Sequence, residues 1–507
     1  MPVRCTVAAK NRLKKTALFS AVFVSTVSKK AVYEADRIIS MKSRFKNLFL
    51  TATCQLTLLA ACASVPEAPL RGVTSLTDHV SEAGQEFTLA YMPDAGMVSV
   101  HVIWPNDSAH NSGKPVIGNL GVELMSSGGA GDRSATQIKQ MINALGSAAS
   151  IVATPDHIYG SFTATSETLD ETLSIIADVI SQPDLDAVRF DLLKDAKQTR
   201  VEAQQENSSA LLWTTTRQVL LGDSTLTDYW NNTPVEQVVA PLTVDDVERW
   251  HRETFTSDNI HVAVAGTIEA EKAGASIDQL LGALPESVTK SNRDPLTLNT
   301  GVTVLLKDET ASSTHMAVVG LLPASREGGE IADIVAVGAL GKGNESRLLK
   351  AAVDELAEGS SIDASIANFS RDVRVFGINT TAEFDNAEAT LNSIEQAYRN
   401  FREGNLDDQE VLRSVVPFVN SLRSNDKKPD LLAYGLGQLL LDELPKDMLL
   451  SVMQDSLSLK AEDINQRIMD LYPDWDELVK VVVSSNADFI EADCVVSRVE
   501  ELSECEL

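Results

Sequence analysis

One order of secondary-structure elements is written twice in this chain, about 215 residues apart, and a duplication of that length allows few folds. Val98-Ser99-Val100-His101-Val102-Ile103-Trp104 alternates and is rich in β-branched residues, so it reads as a strand. His315-Met316-Ala317-Val318-Val319-Gly320-Leu321 stands at the matching place in the second half. Each is followed by an apolar helix, over 116–125 and 331–340, and by a Gly-rich turn, Gly128-Gly129-Ala130-Gly131 and Gly341-Lys342-Gly343. A second helix then closes on glycine, 134–145 before Gly146 and 346–357 before Gly359, as a left-handed C-terminus favours. Two strands follow in each half, over 148–154 with 158–165 and over 362–369 with 373–382, and then a helix over 169–181 or 387–401. Asp184-Leu185-Asp186 and Asn405-Leu406-Asp407 cap a further long helix. A last helix and a last strand, over 260–265 and 478–484, end each half. The period is too long for a solenoid repeat and predicts two tandem homologous domains, over 83–288 and 289–507. Strands grouped apart from helices predict an α+β fold, each domain a mostly antiparallel sheet with helices packed on one face.

Charge divides the chain at a different place. Residues 1–61 hold 11 Lys and Arg against 2 Asp and Glu, a net +9 within a chain whose total is −29, so residues 62–507 carry −38. The basic stretch Met41-Lys42-Ser43-Arg44-Phe45-Lys46 precedes an uncharged, mostly apolar run that ends Leu58-Leu59-Ala60-Ala61-Cys62. This is the layout of a secretory signal, too short to span a membrane. Leu-Ala-Ala-Cys also resembles the bacterial lipoprotein lipobox. That resemblance implies lipidation of Cys62 and, because Ala63 follows, attachment to the outer membrane facing the periplasm. Met41 is then the expected start, residues 1–61 are leader and signal peptide, and 62–82 are a tether. An acidic body has no basic face for phosphates, which argues against nucleic-acid binding. Cys494 and Cys505 are the cysteines left near the C-terminus. In an oxidising compartment they are a possible disulfide, with two free thiols the alternative.

The duplicated order resembles the insulinase, pitrilysin and mitochondrial processing peptidase family, the inverted-zincin metallopeptidases. The stretches that carry the resemblance are 118–129, Ala144-Leu145-Gly146-Ser147-Ala148, Asp156-His157-Ile158-Tyr159, and Leu242-Thr243-Val244-Asp245-Asp246-Val247 with Phe255, Asn259, Ile260 and Gly266. The family implies two α+β domains forming half of a clam-shell chamber. Its chemistry uses His-x-x-Glu-His on the first apolar helix, whose two His face one side and hold zinc, while the Glu activates the bound water. A distal Glu completes the metal site. Here the matching pentad is Leu120-Gly121-Val122-Glu123-Leu124, so only the Glu123 position survives, and the distal position falls at Arg200, with Glu202 two residues on. The family's second domain also supplies an Arg and a Tyr that hold substrate; Glu358 and Ile362 stand at those positions.

No other metal set offers itself. His101 and His315 lie in expected strands, His251 and His261 flank a helix end and the next strand, and His157 reads as a solvated histidine in the turn before a strand. The resemblance and its losses therefore imply a non-catalytic family member without a cofactor. Its expected partner is an active zinc-bearing family subunit or a second copy of the chain, and peptides are possible ligands. Two alternatives remain: a zinc metalloendopeptidase with a remodelled site, and a structural envelope protein.

Overall fold

The computed structural model describes residues 72–111, 114–286, 293–352, 356, 362–486 and 488–505. The first domain runs β1 (Ser75–Val80), β2 (Glu86–Tyr91), β3 (Val98–Pro105), α1 (Ile117–Gly128), α2 (Ala135–Ala144), β4 (Ala148–Ala153), β5 (His157–Ala164), α3 (Leu169–Ser181), α4 (Ala187–Gln205) and α5 (Ser208–Leu221). It closes with α6 (Thr225–Asn231), α7 (Val235–Val238), α8 (Val244–Thr254), β6 (His261–Gly266) and α9 (Ala270–Leu281). The second domain runs β7 (Thr303–Lys307), β8 (Thr314–Leu322), α10 (Glu330–Gly341), α11 (Arg347–Ala352), β9 (Ile362–Asn368), β10 (Arg374–Ala382), α12 (Ala387–Arg402) and α13 (Asp408–Asn425). It ends with α14 (Pro429–Leu441), α15 (Met448–Ser458), α16 (Ala461–Leu471), β11 (Val479–Ser484) and β12 (Cys494–Val496). The fold is α+β with two matched domains, as the duplicated pattern predicts.

Local chemistry sets the helix ends. The Ser134 and Gln137 side chains form a reciprocal cap at the start of α2, and Gly146 beyond its end has φ +66°. Asp186 accepts from the Arg189 amide at 2.7 Å to start α4, and Asp407 does the same for α13 from Gln409 and Glu410, each at 2.8 Å.

The two sheets have the orders β1-β2-β6-β3-β5-β4 and β12-β7-β11-β8-β10-β9. Five positions correspond. The sixth is filled by the N-terminal strand β1, antiparallel to β2, in one sheet, and by the C-terminal strand β12, parallel to β7, in the other. The first sheet thus begins at Ser75, inside the stretch expected to be tether. Two pairings in the second sheet and one in the first are parallel, and the rest are antiparallel.

The layering differs from a sheet with one covered face. Each domain's own helices cover one face, and a helix of the other domain covers the opposite one. α5 lies on β11 and β8, and α14 lies on β6 and β3. Leu212, Val219 and Leu220 of α5 join Val319, Val481 and Val483 in one core, and Leu432, Ala433 and Leu436 of α14 join Ala90, Ala263 and Ala265 in another. At Gly437 a Cβ would lie 3.0 Å from Ile103 Cδ1, so the glycine allows the close crossing. Burial on both faces explains why β3 is buried at seven successive positions and not at every second one.

A polar knot ties the same junction. Asp156, 4% exposed, accepts from His110 Nε2 at 2.9 Å, from Arg293 Nη1 at 3.0 Å and from the Arg371 amide at 2.7 Å. Arg293 also reaches Asp107 and Asp372, each at 2.7 Å, and Arg371 Nε reaches Asp442 at 2.7 Å. Burial pushes the Asp156 carboxyl up, but the donors from His110, Arg293 and Arg371 outweigh it and hold the group below the usual carboxylate range.

Candidate functional site

α1 carries Leu120-Gly121-Val122-Glu123-Leu124. Leu120 and Leu124 are about one turn apart and point the same way. Both are 0% exposed, in the core that also holds Ile117, Met125, Ile176 and Phe190. Glu123 is half-buried. Gly118 and Gly121, also about one turn apart, let the Trp250 indole of α8 close onto the helix. A Cβ at 121 would lie 2.2 Å from Trp250 Cζ3, and one at 118 would lie 3.7 Å from Nε1. Gly121→Ala is expected to cost about 2 kcal/mol, overpacking outweighing the gain in helix propensity. The readout is a lower urea midpoint at unchanged m-value.

α4 packs against α1. Arg200, at the distal ligand position, is exposed, and so is Glu202, which accepts from Gln198 Nε2 at 2.9 Å. Lys197, one turn before Arg200, carries no mark in the sequence beyond that spacing, yet it is half-buried. Burial pushes its ammonium below the ordinary lysine value; Glu123 works against that shift and Arg200 adds to it. Glu123, Lys197 and Arg200 therefore share one electrostatic neighbourhood across α1 and α4.

Catalytic zinc needs three lone-pair donors and an open position. Leu120 and Leu124 offer no lone pair, the volume around them is filled core, and Arg200 is a cation. The residues present do not fit zinc. Among the described residues no three His, Cys, Asp or Glu side chains stand together as a metal-binding group.

Beside α1 runs β4, the edge strand of the first sheet. Among the described residues it pairs only with β5, and Ala148, Ala149 and Ser150 are exposed. Its sequence Ala-Ala-Ser-Ile-Val-Ala holds neither the charge nor the proline that usually blocks strand addition.

The other singled-out residues are scattered. Ile362 opens β9, is 6% exposed and belongs to the second-domain core, so the Tyr position of the substrate pair holds a packed aliphatic side chain. Glu358 and Cys62 lie outside the described residues. Cys494, on β12, is bonded to Cys505, with Cα atoms 6.0 Å apart. His157 is not the solvated turn residue that its place in the sequence predicts. It opens β5 and is 5% exposed; its Nδ1 lies 3.0 Å from Thr154 Oγ1, and its Nε2 has no partner. Its ring packs on Tyr159 at 6.0 Å, His101 stacks on Tyr159 at 6.4 Å, and Tyr434 of α14 packs on Tyr159 at 5.5 Å. α14 comes from the other domain, and its cover over this sheet face is invisible to local sequence patterns.

The family model for insulinase, peptidase family M16, matches residues 121–228, and that for the peptidase M16 inactive domain matches residues 241–415. The chain belongs to the M16 peptidase family. It is a degenerate M16 member, its pentad having lost both histidines. Among curated proteins none matches. Solved structures share the M16 fold at low identity. A peptidase M16 inactive domain from Pseudomonas fluorescens is 16% identical with TM-score 0.72, over 82% of this chain and 98% of its own. The periplasmic protease PqqL from Escherichia coli is 14% identical with TM-score 0.69, over 90% of this chain and 51% of its own, so this chain spans about half of it. A chain of Complex III2 from Candida albicans is 13% identical with TM-score 0.64, over 82% of this chain and 98% of its own.

Proposed function

We propose that this M16 chain hydrolyses nothing and serves in the bacterial envelope as a peptide-binding subunit, partnered by a zinc-bearing family member or a second copy of itself. One observation carries the loss of catalysis: the two positions that must donate lone pairs to zinc are leucines built into a closed core. The exposed, uncharged edge strand β4 beside α1 supports peptide binding by strand addition, in which main-chain hydrogen bonds supply affinity. The partner reading draws support from PqqL, whose chain is about twice the matched length, and from the match to a chain of Complex III2. The lipobox-like run before Cys62 supports attachment to the outer membrane through a lipid, facing the periplasm. Among the described residues no helix is long and apolar enough to cross a membrane.

Metal analysis of the purified protein, with a peptidase assay before and after chelation, tests the catalytic part. The expected result is zinc far below one per chain and no chelator-sensitive cleavage. Stoichiometric zinc lost together with an activity would overturn it. Capture from solubilised membranes tests the partner part, which predicts an M16 subunit with intact His-x-x-Glu-His, or the chain itself, in the bound fraction. Cys62→Ser is expected to release the protein into the soluble envelope fraction.

A further inference from the structure

We propose that α4 and α13 form the contact with a second copy of this chain, α4 of each copy lying against α13 of the other. The inference rests on the second-copy reading of the partner above and names its surface. The two helices are equivalents in the duplicated order, and both are thinly covered. Of the 19 residues of α4 only Phe190 and Val201 are buried, and of the 18 of α13 only Val411, Val415 and Val419. Each helix also turns an apolar pair outward. Val188 and Leu192 of α4 are 69% and 63% exposed, and Leu412 and Val416 of α13 are 56% and 42% exposed. A lone exposed leucine is ordinary. Here a pair spaced i, i+4, one turn apart on one face, recurs on the same helix of both repeats.

The charges beside the two pairs are opposite. Asp191, Asp195 and Glu202 are exposed on the face of α4 that carries Val188 and Leu192. Arg413 and Arg423 are exposed beside Leu412 and Val416 on α13. Asp191 pairs with Lys194 at 3.2 Å, whereas Asp195, Glu202, Arg413 and Arg423 make no ion pair among the described residues. A basic helix face stands out in a chain of net charge −29. Two α4 faces would repel one another, and so would two α13 faces, so charge selects the crossed pairing. In a parallel register, with Val188 against Leu412 and Leu192 against Val416, Arg423 falls between Asp195 and Glu202. An antiparallel register would instead bring Asp195 beside Asp408. The crossed pairing is self-complementary: a twofold axis repeats it, which doubles the buried area and closes the assembly as a dimer.

The test is analytical ultracentrifugation of the mature chain carrying Cys62→Ser, over a concentration series at low and high salt. The chain is expected to form dimers that weaken as salt rises. Arg413→Glu with Arg423→Glu, and separately Asp195→Arg with Glu202→Arg, should each weaken the dimer about a hundredfold. An equal mixture of these two variants should dimerise like the native chain, and so should one chain carrying all four changes, because opposite charges again meet at both contacts. That recovery also shows that the reversed chains are folded. A native chain that stays monomeric throughout overturns the inference together with the second-copy reading, and leaves the zinc-bearing subunit to the capture experiment. Dimers that neither reversal weakens overturn the assignment to α4 and α13 while the second-copy reading stands. Weakening by each reversal without recovery in the mixture overturns the crossed pairing.

Discussion

Leu120→His combined with Leu124→His, the change that rewrites the pentad as His-x-x-Glu-His, is expected to destabilise the chain by about 6 kcal/mol and to leave it without zinc. Each leucine is fully buried. Removing one forfeits roughly 1.5–3 kcal/mol of apolar burial, and an imidazole set there without partners adds about 1–3 kcal/mol. The two sites are neighbours, so their costs couple. Metal does not rescue the fold, because Arg200 brings a cation to the position of the distal ligand and Lys197 adds another beside Glu123. Denaturant unfolding with and without zinc, alongside metal analysis, makes the measurement. A double variant as stable as the native chain, or one that keeps stoichiometric zinc, would show that the site is merely latent. Adding Arg200→Glu and Lys197→Gln is the control that should begin to recover metal-dependent stability, since metal bound only to the folded state stabilises it by linkage.

The second large effect is acid sensitivity. Burial holds His101 at about 4, and burial, Arg371 and His261 hold His157 at about 4 against the pull of Asp156, from an ordinary 6.5. In the unfolded chain both titrate near the ordinary value. As pH falls through that value the unfolded state takes up protons that the folded state refuses, so stability is full above it and is lost down to about pH 4. Between pH 7 and pH 5 each histidine removes about 2 kcal/mol. Asp228, pushed up to about 6 by burial and by Asp223, runs the other way. It is half-exposed and screened, so it returns about 1 kcal/mol. From these three groups the expected loss is about 3 kcal/mol, read from urea midpoints at the two pH values. His157→Gln should lower stability at pH 7 yet flatten the pH dependence by about 2 kcal/mol. An unchanged slope would remove His157 from the explanation. The effect falls on the domain junction, because His101 and Tyr159 pack against Tyr434 of the crossing helix α14.

The duplicated order of elements, the helix caps at Asp186 and Asp407, and the loss of both pentad histidines are all legible in the sequence. Each rests on local periodicity, on a short-range hydrogen bond or on the absence of a lone pair, and none of these needs a tertiary contact. β1 escapes such reading because Ser75-Leu76-Thr77-Asp78-His79-Val80 is largely exposed and has no apolar face of its own; its pairing with β2 makes it a strand. Lys197 escapes because a lysine in a polar helix looks solvated until α1 is laid against it.

What the chain determined by itself is therefore its family, its two matched domains and the absence of zinc ligands from the places that need them. Only the tertiary structure decided that each domain lends a helix to the other's sheet, and that His101 and His157 are buried beneath such a helix. It also decided that Lys197 is half-buried, with its ammonium acted on by Glu123 of the neighbouring helix. The physical reason is range. Patterns of two to four residues report which face of an element is apolar, whereas what covers that face, and which charges meet across it, depends on segments hundreds of residues away.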